Sequence, residues 1–290
     1  MAAVPQTNSR FRFLLIQAFS LPATSRYQLR PMHGSKETQV MNYADFSHVL
    51  DDVEWDVHPG APAPHGDWPV ETLEEFCLVA ASRLPIVRAS CESGNYNAIV
   101  LLGGGDPGFL EAREIGRRYG IPVTSCAHAQ MHVASMLGNK FSMIDISEAH
   151  NMRMADLVVQ YRFTERCASI RNVNFPLPRP AYADERPVSA EKAKAQKGEV
   201  SEMLEAAVAE AVAAIEDDGA DVIILGCSAA FWMQPFLQQR LNDIGWEIPV
   251  LEGYRCAIEQ AKLLVNLRVD ASGLAFPSDH PPKWRRKKII

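Results

Sequence analysis

Cys227 is the residue of this chain best placed to do chemistry. It closes the segment Asp221-Val222-Ile223-Ile224-Leu225-Gly226-Cys227, an apolar run that turns abruptly into small residues. A free thiol near pKa 8.5 is readily lowered by backbone donors and by the amino end of a helix. A thiol just past a buried strand, before a helix near Phe231, therefore suits proton transfer or nucleophilic attack. A packed, inert cysteine is the bland reading. The segment has a second copy, Asn97-Ala98-Ile99-Val100-Leu101-Leu102-Gly103-Gly104-Gly105, and that copy has no thiol: Cys227 falls six residues after Asp221, whereas Gly103 falls six after Asn97. Gly103, Gly104 and Gly105 would let backbone N–H groups approach a ligand closely. Ser228 beside the thiol either donates to an oxyanion or caps the helix that follows. Cys126 and His128 lie in Ser125-Cys126-Ala127-His128, at the end of the strand next to the glycine loop. Asp106-Pro107 reads as an N-cap with proline at the first helical position.

The elements that must position these residues follow from period and punctuation. Strands are expected at Arg12 to Gln17, Glu54 to His58, Asn97 to Leu102, Ile121 to Thr124, Phe141 to Ile146, Ala168 to Asn174, Val222 to Leu225 and Ile248 to Leu251. Helices are expected at Glu71 to Ala89, Asp106 to Tyr119, Ala129 to Leu137, Ser147 to Tyr161, Phe231 to Leu241 and Arg255 to Asn266, with one long helix over Ala190 to Asp217. Leu21 to about Tyr43 is polar and irregular and could form a lid. Pro59-Gly60-Ala61-Pro62-Ala63-Pro64 can continue neither helix nor sheet. Alternating strands and helices indicate α/β layers with parallel sheets, whose ligands sit beyond the carboxyl ends of the strands. The repeat divides the chain into two pseudo-symmetric Rossmann-like halves, 1–128 with 254–290 and 129–253.

Composition narrows the function classes. With 290 residues, 47% hydrophobic and 22% charged, the chain can bury a sizeable core. A net charge of -6 argues against nucleic acid as the main partner. The one basic run, Lys283, Arg285, Arg286, Lys287 and Lys288, is terminal and reads as a solvated tail. Six cysteines without a CxxC pair or Cys/His ligand spacing give no expectation of a metal site and suggest reduced thiols in a cytoplasmic protein. No apolar stretch approaches the roughly 20 residues that span a bilayer. Phe11 to Phe19 is read as a first buried strand rather than a signal peptide. His33, His48, His58 and His65 have no acidic spacing that would make a metal site, and Trp232 either packs its helix or lines a pocket.

Leu102-Gly103-Gly104-Gly105-Asp106-Pro107-Gly108, Ile121-Pro122-Val123, Met131-His132, Lys140-Phe141-Ser142, Arg166-Cys167-Ala168-Ser169-Ile170-Arg171 and Leu225-Gly226-Cys227 occur in one order and spacing. In this the chain resembles the aspartate/glutamate/hydantoin racemase superfamily, over about Phe11 to Val269, and Asp106-Pro107-Gly108 with Cys167-Ala168-Ser169 point to the hydantoin racemase branch. The resemblance implies two similar α/β halves with the active site in the cleft between them, each half offering one cysteine past a strand end. The pair removes and returns a Cα proton from opposite faces without any cofactor. Cys227 matches the second cysteine. Gly103 stands where the first would be.

Three readings of that departure stand open. Cys126 or His128 could supply the partner acid/base, histidine being suited to proton transfer near neutral pH. The enzyme could instead protonate on one face only, like the arylmalonate decarboxylase relatives with glycine at the first position. Or the chain could be a non-catalytic small-molecule sensor. Relatives carry a polar Asn-Thr-type loop after the first strand, whereas this chain reads Gln17-Ala18-Phe19-Ser20-Leu21, where only Ser20 keeps a hydroxyl. The substrate expected is a small amide- or carboxylate-bearing molecule with an acidic carbon, bound by Ser20, Gly103, Gly104, Gly105 and Ser228. Small-molecule substrates and a homo-oligomer are expected, with no membrane partner.

Overall fold

The computed structural model describes residues 9–29, 34–40, 46–181, 188–277 and 283. His33 and all of the basic tail except Lys283 lie outside them. Eight strands form two parallel four-stranded sheets. The first holds β1 (Phe11–Ile16), β2 (Val53–His58), β3 (Ala98–Leu101) and β4 (Val123–Ser125), in the order β2-β1-β3-β4. The second holds β5 (Phe141–Asp145), β6 (Cys167–Asn172), β7 (Val222–Leu225) and β8 (Val250–Leu251), in the order β6-β5-β7-β8. The two orders are the same topology, so the repeat seen between residues 97–105 and 221–229 extends to whole sheets. In each, the chain runs outward one way from the first strand and the other way from the third. That strand pair marks the topological switch point, where the loops diverge and leave a crevice for a ligand.

Helices cover the sheets: α1 (Lys36–Val40), α2 (Leu73–Ser93), α3 (Phe109–Tyr119), α4 (Cys126–Leu137), α5 (Asn151–Gln160), α6 (Val188–Gln196), α7 (Glu202–Glu216), α8 (Gln234–Asp243) and α9 (Gly253–Leu267). The strands β3 and β7 are fully buried, as their continuous apolar sequence requires. One apolar cluster runs from Phe13 and Val100 in the first sheet through Ala129, Tyr254 and Ala257 on α4 and α9 to Ile223 and Leu225 in the second. The two halves therefore share a core. Among the described residues no helix is long and apolar enough to cross a membrane.

Four local expectations need correction. The long helix over Ala190 to Asp217 is two helices. The chain breaks after α6, Ser201 caps α7 through the N–H of Leu204, and the buried Glu191 accepts from Ser201 Oγ and the N–H of Met203. Asp106 does not cap α3, which starts after Gly108; its carboxylate takes the N–H groups of Ala127 and His128 and so caps α4. That helix starts at Cys126 and not at Ala129, which puts Cys126 and His128 in its first turn. Finally, Cys227 is followed by a 3-10 turn, Ser228–Met233, and α8 begins only at Gln234.

Candidate active site

The loops after β1, β3, β5 and β7, the central pair of each sheet, converge on one cavity of about 470 Å3 of empty space. Ala18 and Phe19 follow β1, Gly103, Gly104 and Gly105 follow β3, His150 follows β5, and Cys227, Ser228 and Ala229 follow β7. Apolar walls come from Val70, Phe76, Met154 and Leu177, and Leu29 adds to them from the irregular stretch after β1. No Lys or Arg lines it among the described residues.

The glycine loop is held by groups that carry no chemistry of their own. Arg83, a fully buried guanidinium on α2, donates to the carbonyls of Ile16, Leu102 and Pro107 and so ties the ends of β1 and β3 to the loop. Burial pulls its pKa down to about 10. From the other half, Arg153 on α5 donates to the carbonyls of Gly105 and Asp106. The Asp106 carboxylate is satisfied by Ser125 Oγ at 2.6 Å, the two N–H groups of α4 and Tyr161 OH at 3.1 Å. Gly103 has φ +121°, a conformation that side chains rarely adopt, and a Cβ there would meet only Ala18 Cβ, at 3.2 Å. At Gly104 a Cβ would fall 1.8 Å from the Gly226 carbonyl oxygen and 2.9 Å from Cys227 Cα. The bare backbone of Gly104 is thus what lets the two loops touch.

Cys227 is half-buried. Its N–H donates to Asp145 Oδ1 at 3.1 Å, and Gln130 on α4 fixes the end of β7 through both the N–H and the carbonyl of Leu225. The sequence suggests a helix amino end that favours the thiolate, but the thiol is pushed above its ordinary value, by burial first and then by the carboxylates of Asp145 and Glu71. The Ala229 N–H works in the opposite sense and is outweighed. The reason is geometric: a short 3-10 turn follows the cysteine, while a buried carboxylate stands beside it.

Asp145 and His150 were not singled out by the sequence. Asp145 ends an apolar strand, the kind of place Cys227 occupies, and that position was the available clue; nothing along the chain marks His150. Asp145 is fully buried and its Oδ2 has no hydrogen-bond partner among the described residues. His150, 2% exposed, places Nδ1 3.5 Å from Asp145 Oδ1, and the ring lies edge-on to Phe76. Burial by itself would lower the imidazole pKa, but the Asp145 carboxylate, Glu71 and the Val70 backbone together raise it above the usual value. Donor atoms of Asp145, His150 and Cys227 all lie within 4.8 Å of one another, a set that could hold a metal ion. Spacing along the chain gave no such expectation, because the set is assembled from two separate loops.

The other sequence candidates divide. Gly103, Gly104, Gly105 and Ser228 line the cavity with Cys227. Neither Cys126 nor His128 does. Cys126 is completely buried, its thiol directed at the Leu101 carbonyl and raised well above its ordinary pKa by burial. His128 packs on Phe109 and Tyr161 and sits 3.0 Å from His132; burial and that neighbour bring it down to about 3. Ser20 turns its hydroxyl to the Gly60 carbonyl, away from the cavity lining. Trp232 is buried against Phe236.

Known proteins resemble this chain in both sequence and fold. A hydantoin racemase of Pseudomonas sp. (strain NS671) is 29% identical over 183 residues, which is 63% of this chain and 64% of the relative's own length. The allantoin racemase of Pseudomonas fluorescens superposes with a TM-score of 0.68 at 20% identity, covering 96% of this chain and 99% of that one. A glycine-to-cysteine variant of arylmalonate decarboxylase superposes at 0.54 with 16% identity, over 88% of this chain and 93% of that one. Residues 78–261, more than half of the chain, match the Asp/Glu/Hydantoin racemase family, and the chain belongs to that family.

Proposed function

We propose that the protein is an isomerase of the hydantoin racemase type that moves a proton at an acidic carbon of a small amide- or carboxylate-bearing molecule, without a cofactor and through Cys227. The observation that carries this is Cys227 as the one thiol lining a cavity built from the switch-point loops of both sheets. The carbanion formed at such a carbon spreads its charge onto the adjacent carbonyl oxygen. Gly104 comes close to Cys227, and the backbone N–H groups of the glycine loop would receive that charge in a cleft with apolar walls. Among the described residues no Lys or Arg lines the cavity, which suits a neutral cyclic amide better than a free amino dicarboxylate.

A second reading has its own observation. Gly103 occupies the position of the missing thiol, and only Ala18 faces it. Cys227, held protonated by burial and by Asp145, is suited to delivering a proton to one face. That is the chemistry of a one-thiol decarboxylase, with decarboxylation taking the place of deprotonation. A sensor would bind in the same cavity and turn nothing over.

Incubation of single enantiomers of 5-substituted hydantoins and of allantoin in deuterium oxide separates the readings. A racemase exchanges the Cα proton and loses optical rotation. A decarboxylase leaves these substrates unchanged but releases carbon dioxide from an arylmalonate and fixes deuterium on one face. A sensor shifts only its melting temperature. Cys227→Ala should lower either turnover at least 10²- to 10⁴-fold while leaving the melting temperature nearly unchanged, because the residue is only half-buried and borders the cavity, so its loss opens no new void. Near-native turnover in that variant rejects both catalytic readings.

A further inference from the structure

Cys227 and His150 line the cavity from the loops after β7 and β5, and Asp145, the last residue of β5, stands beside both. Two-faced proton transfer needs acid and base opposite one another. This arrangement is different: a thiol, an imidazole and a carboxylate, with the carboxylate 3.5 Å from one ring nitrogen and a donor atom of each within 4.8 Å of the others. A nucleophile, a base and a group that orients the base form the constellation of covalent acyl transfer, and these contacts loosen in the absence of a substrate. His150 is nearly completely buried, with one ring nitrogen 3.5 Å from Asp145 Oδ1 and a ring nitrogen within 4.8 Å of the Cys227 thiol. The close approach of Gly104 to Gly226 and Cys227 brings the bare backbone of the glycine loop beside the residue that carries the thiol, which is where backbone donors to an acyl oxygen must stand.

We propose that Cys227, His150 and Asp145 form a nucleophilic triad that takes an acyl group from small esters or thioesters with an apolar acyl part and hydrolyses it. This activity goes beyond carbon-acid proton transfer and shares with the proposed function only a reactive Cys227. Neutral His150 takes the thiol proton as Sγ bonds to the acyl carbon, and the carbonyl electron pair moves to oxygen, beside the N–H groups of Gly104 and Gly105. Collapse breaks the bond to the leaving alcohol or thiol, which takes the proton from His150. Water then loses a proton to the same nitrogen and attacks the thioester carbonyl. The sulfur leaves, recovers the proton, and the free acid departs. Phe19, Val70, Phe76 and Leu177 offer the acyl part an apolar wall.

The test uses p-nitrophenyl acetate with chelator present, on the full chain carrying Cys77→Ser, because Cys77 is an exposed thiol that would acetylate on its own. Peptide mass mapping should find the acetyl group on Cys227, sensitive to hydroxylamine, and nitrophenolate release should continue past one equivalent. His150→Gln should slow acetylation by about 10²-fold or more. An acetyl group absent from Cys227, or an unchanged rate in a folded His150→Gln chain, overturns the proposal. Deuterium exchange without acetylation leaves the proposed function standing and removes this activity; acetylation without exchange supports the triad and removes the racemase reading.

Discussion

At the scale of single residues, the proposed function turns on Gly103, the residue that the resemblance sets at the position of a second thiol. Gly103 can host a side chain only at a cost. Its φ of +121° costs a non-glycine residue roughly 1–3 kcal/mol, and Ala18 Cβ at 3.2 Å must give by a few tenths of an ångström. Gly103→Cys should therefore lower the melting temperature modestly, and Ala18→Gly in the same chain should recover the steric part only. If the proposed chemistry holds, the double variant puts a second thiol across the cavity from Cys227 and raises racemisation of a suitable hydantoin, read by loss of optical rotation. A folded variant that loses the native reaction instead shows that substrate fills the space above Gly103. Asp145 and Cys227 are a second residue-scale case: the carboxylate raises the thiol, so Asp145→Asn should increase the rate of iodoacetamide alkylation of Cys227 near neutral pH.

At the scale of elements, helix ends set the loops. The helix α2 opens with a capping box: Thr72 Oγ1 accepts from the N–H of Glu75, and the Glu75 carboxylate accepts from the N–H of Thr72. That carboxylate also takes the N–H of Glu71, Trp68 Nε1 and the guanidinium of Arg179, which reaches over from the second half. Burial alone would raise its pKa, yet these donors hold it at about 2, against an ordinary 4.5. A carboxyl depressed in the folded state adds stability that is complete above pH 4.5 and fades as pH falls toward 2. The difference corresponds to about 3 kcal/mol. Glu75→Gln should accordingly unfold at lower urea concentration at pH 6, and its midpoint should depend less steeply on pH between 5 and 3 than that of the unaltered chain. Asp106→Ala strips the cap from α4 and leaves the buried hydroxyl of Ser125 without its acid partner. A loss of at least about 2 kcal/mol in urea unfolding is expected.

At the scale of the whole molecule, the two halves are joined by a shared core and by contacts across the cavity floor. Gly104 meets Gly226, Arg153 reaches the glycine loop, and Arg179 reaches α2. The tightest of these is Gly104, since a Cβ 1.8 Å from a carbonyl oxygen cannot be accommodated by a rotamer change. Gly104→Ala should push the loops apart, cost about 1–3 kcal/mol or more as an overpacking change, and speed the alkylation of Cys227 by iodoacetamide as the cavity opens. Alkylation unchanged in a folded Gly104→Ala chain would mean that the halves do not meet there in solution.

The sequence by itself determined the parallel α/β layers, the internal repeat, the place of Cys227 after a buried strand and the asymmetry between Cys227 and Gly103 within that repeat. Each of these is written in neighbours along the chain: apolar runs without alternation, punctuation by glycine and proline, and a spacing that recurs. Tertiary structure alone decided which residues share the cavity with that thiol. Asp145 and His150 reach Cys227 because β5 and β7 are hydrogen-bonded neighbours, although about eighty residues separate them in sequence. Cys126 and His128, close to the glycine loop in sequence, turn away, because the buried Asp106 carboxylate starts α4 at Cys126 and rolls both side chains into packing. The thiol's electrostatics were settled in the same way. The chain places a helix after Cys227, but folding puts a 3-10 turn behind it and a buried carboxylate beside it, and at that distance the charge outweighs the weak end of a short turn.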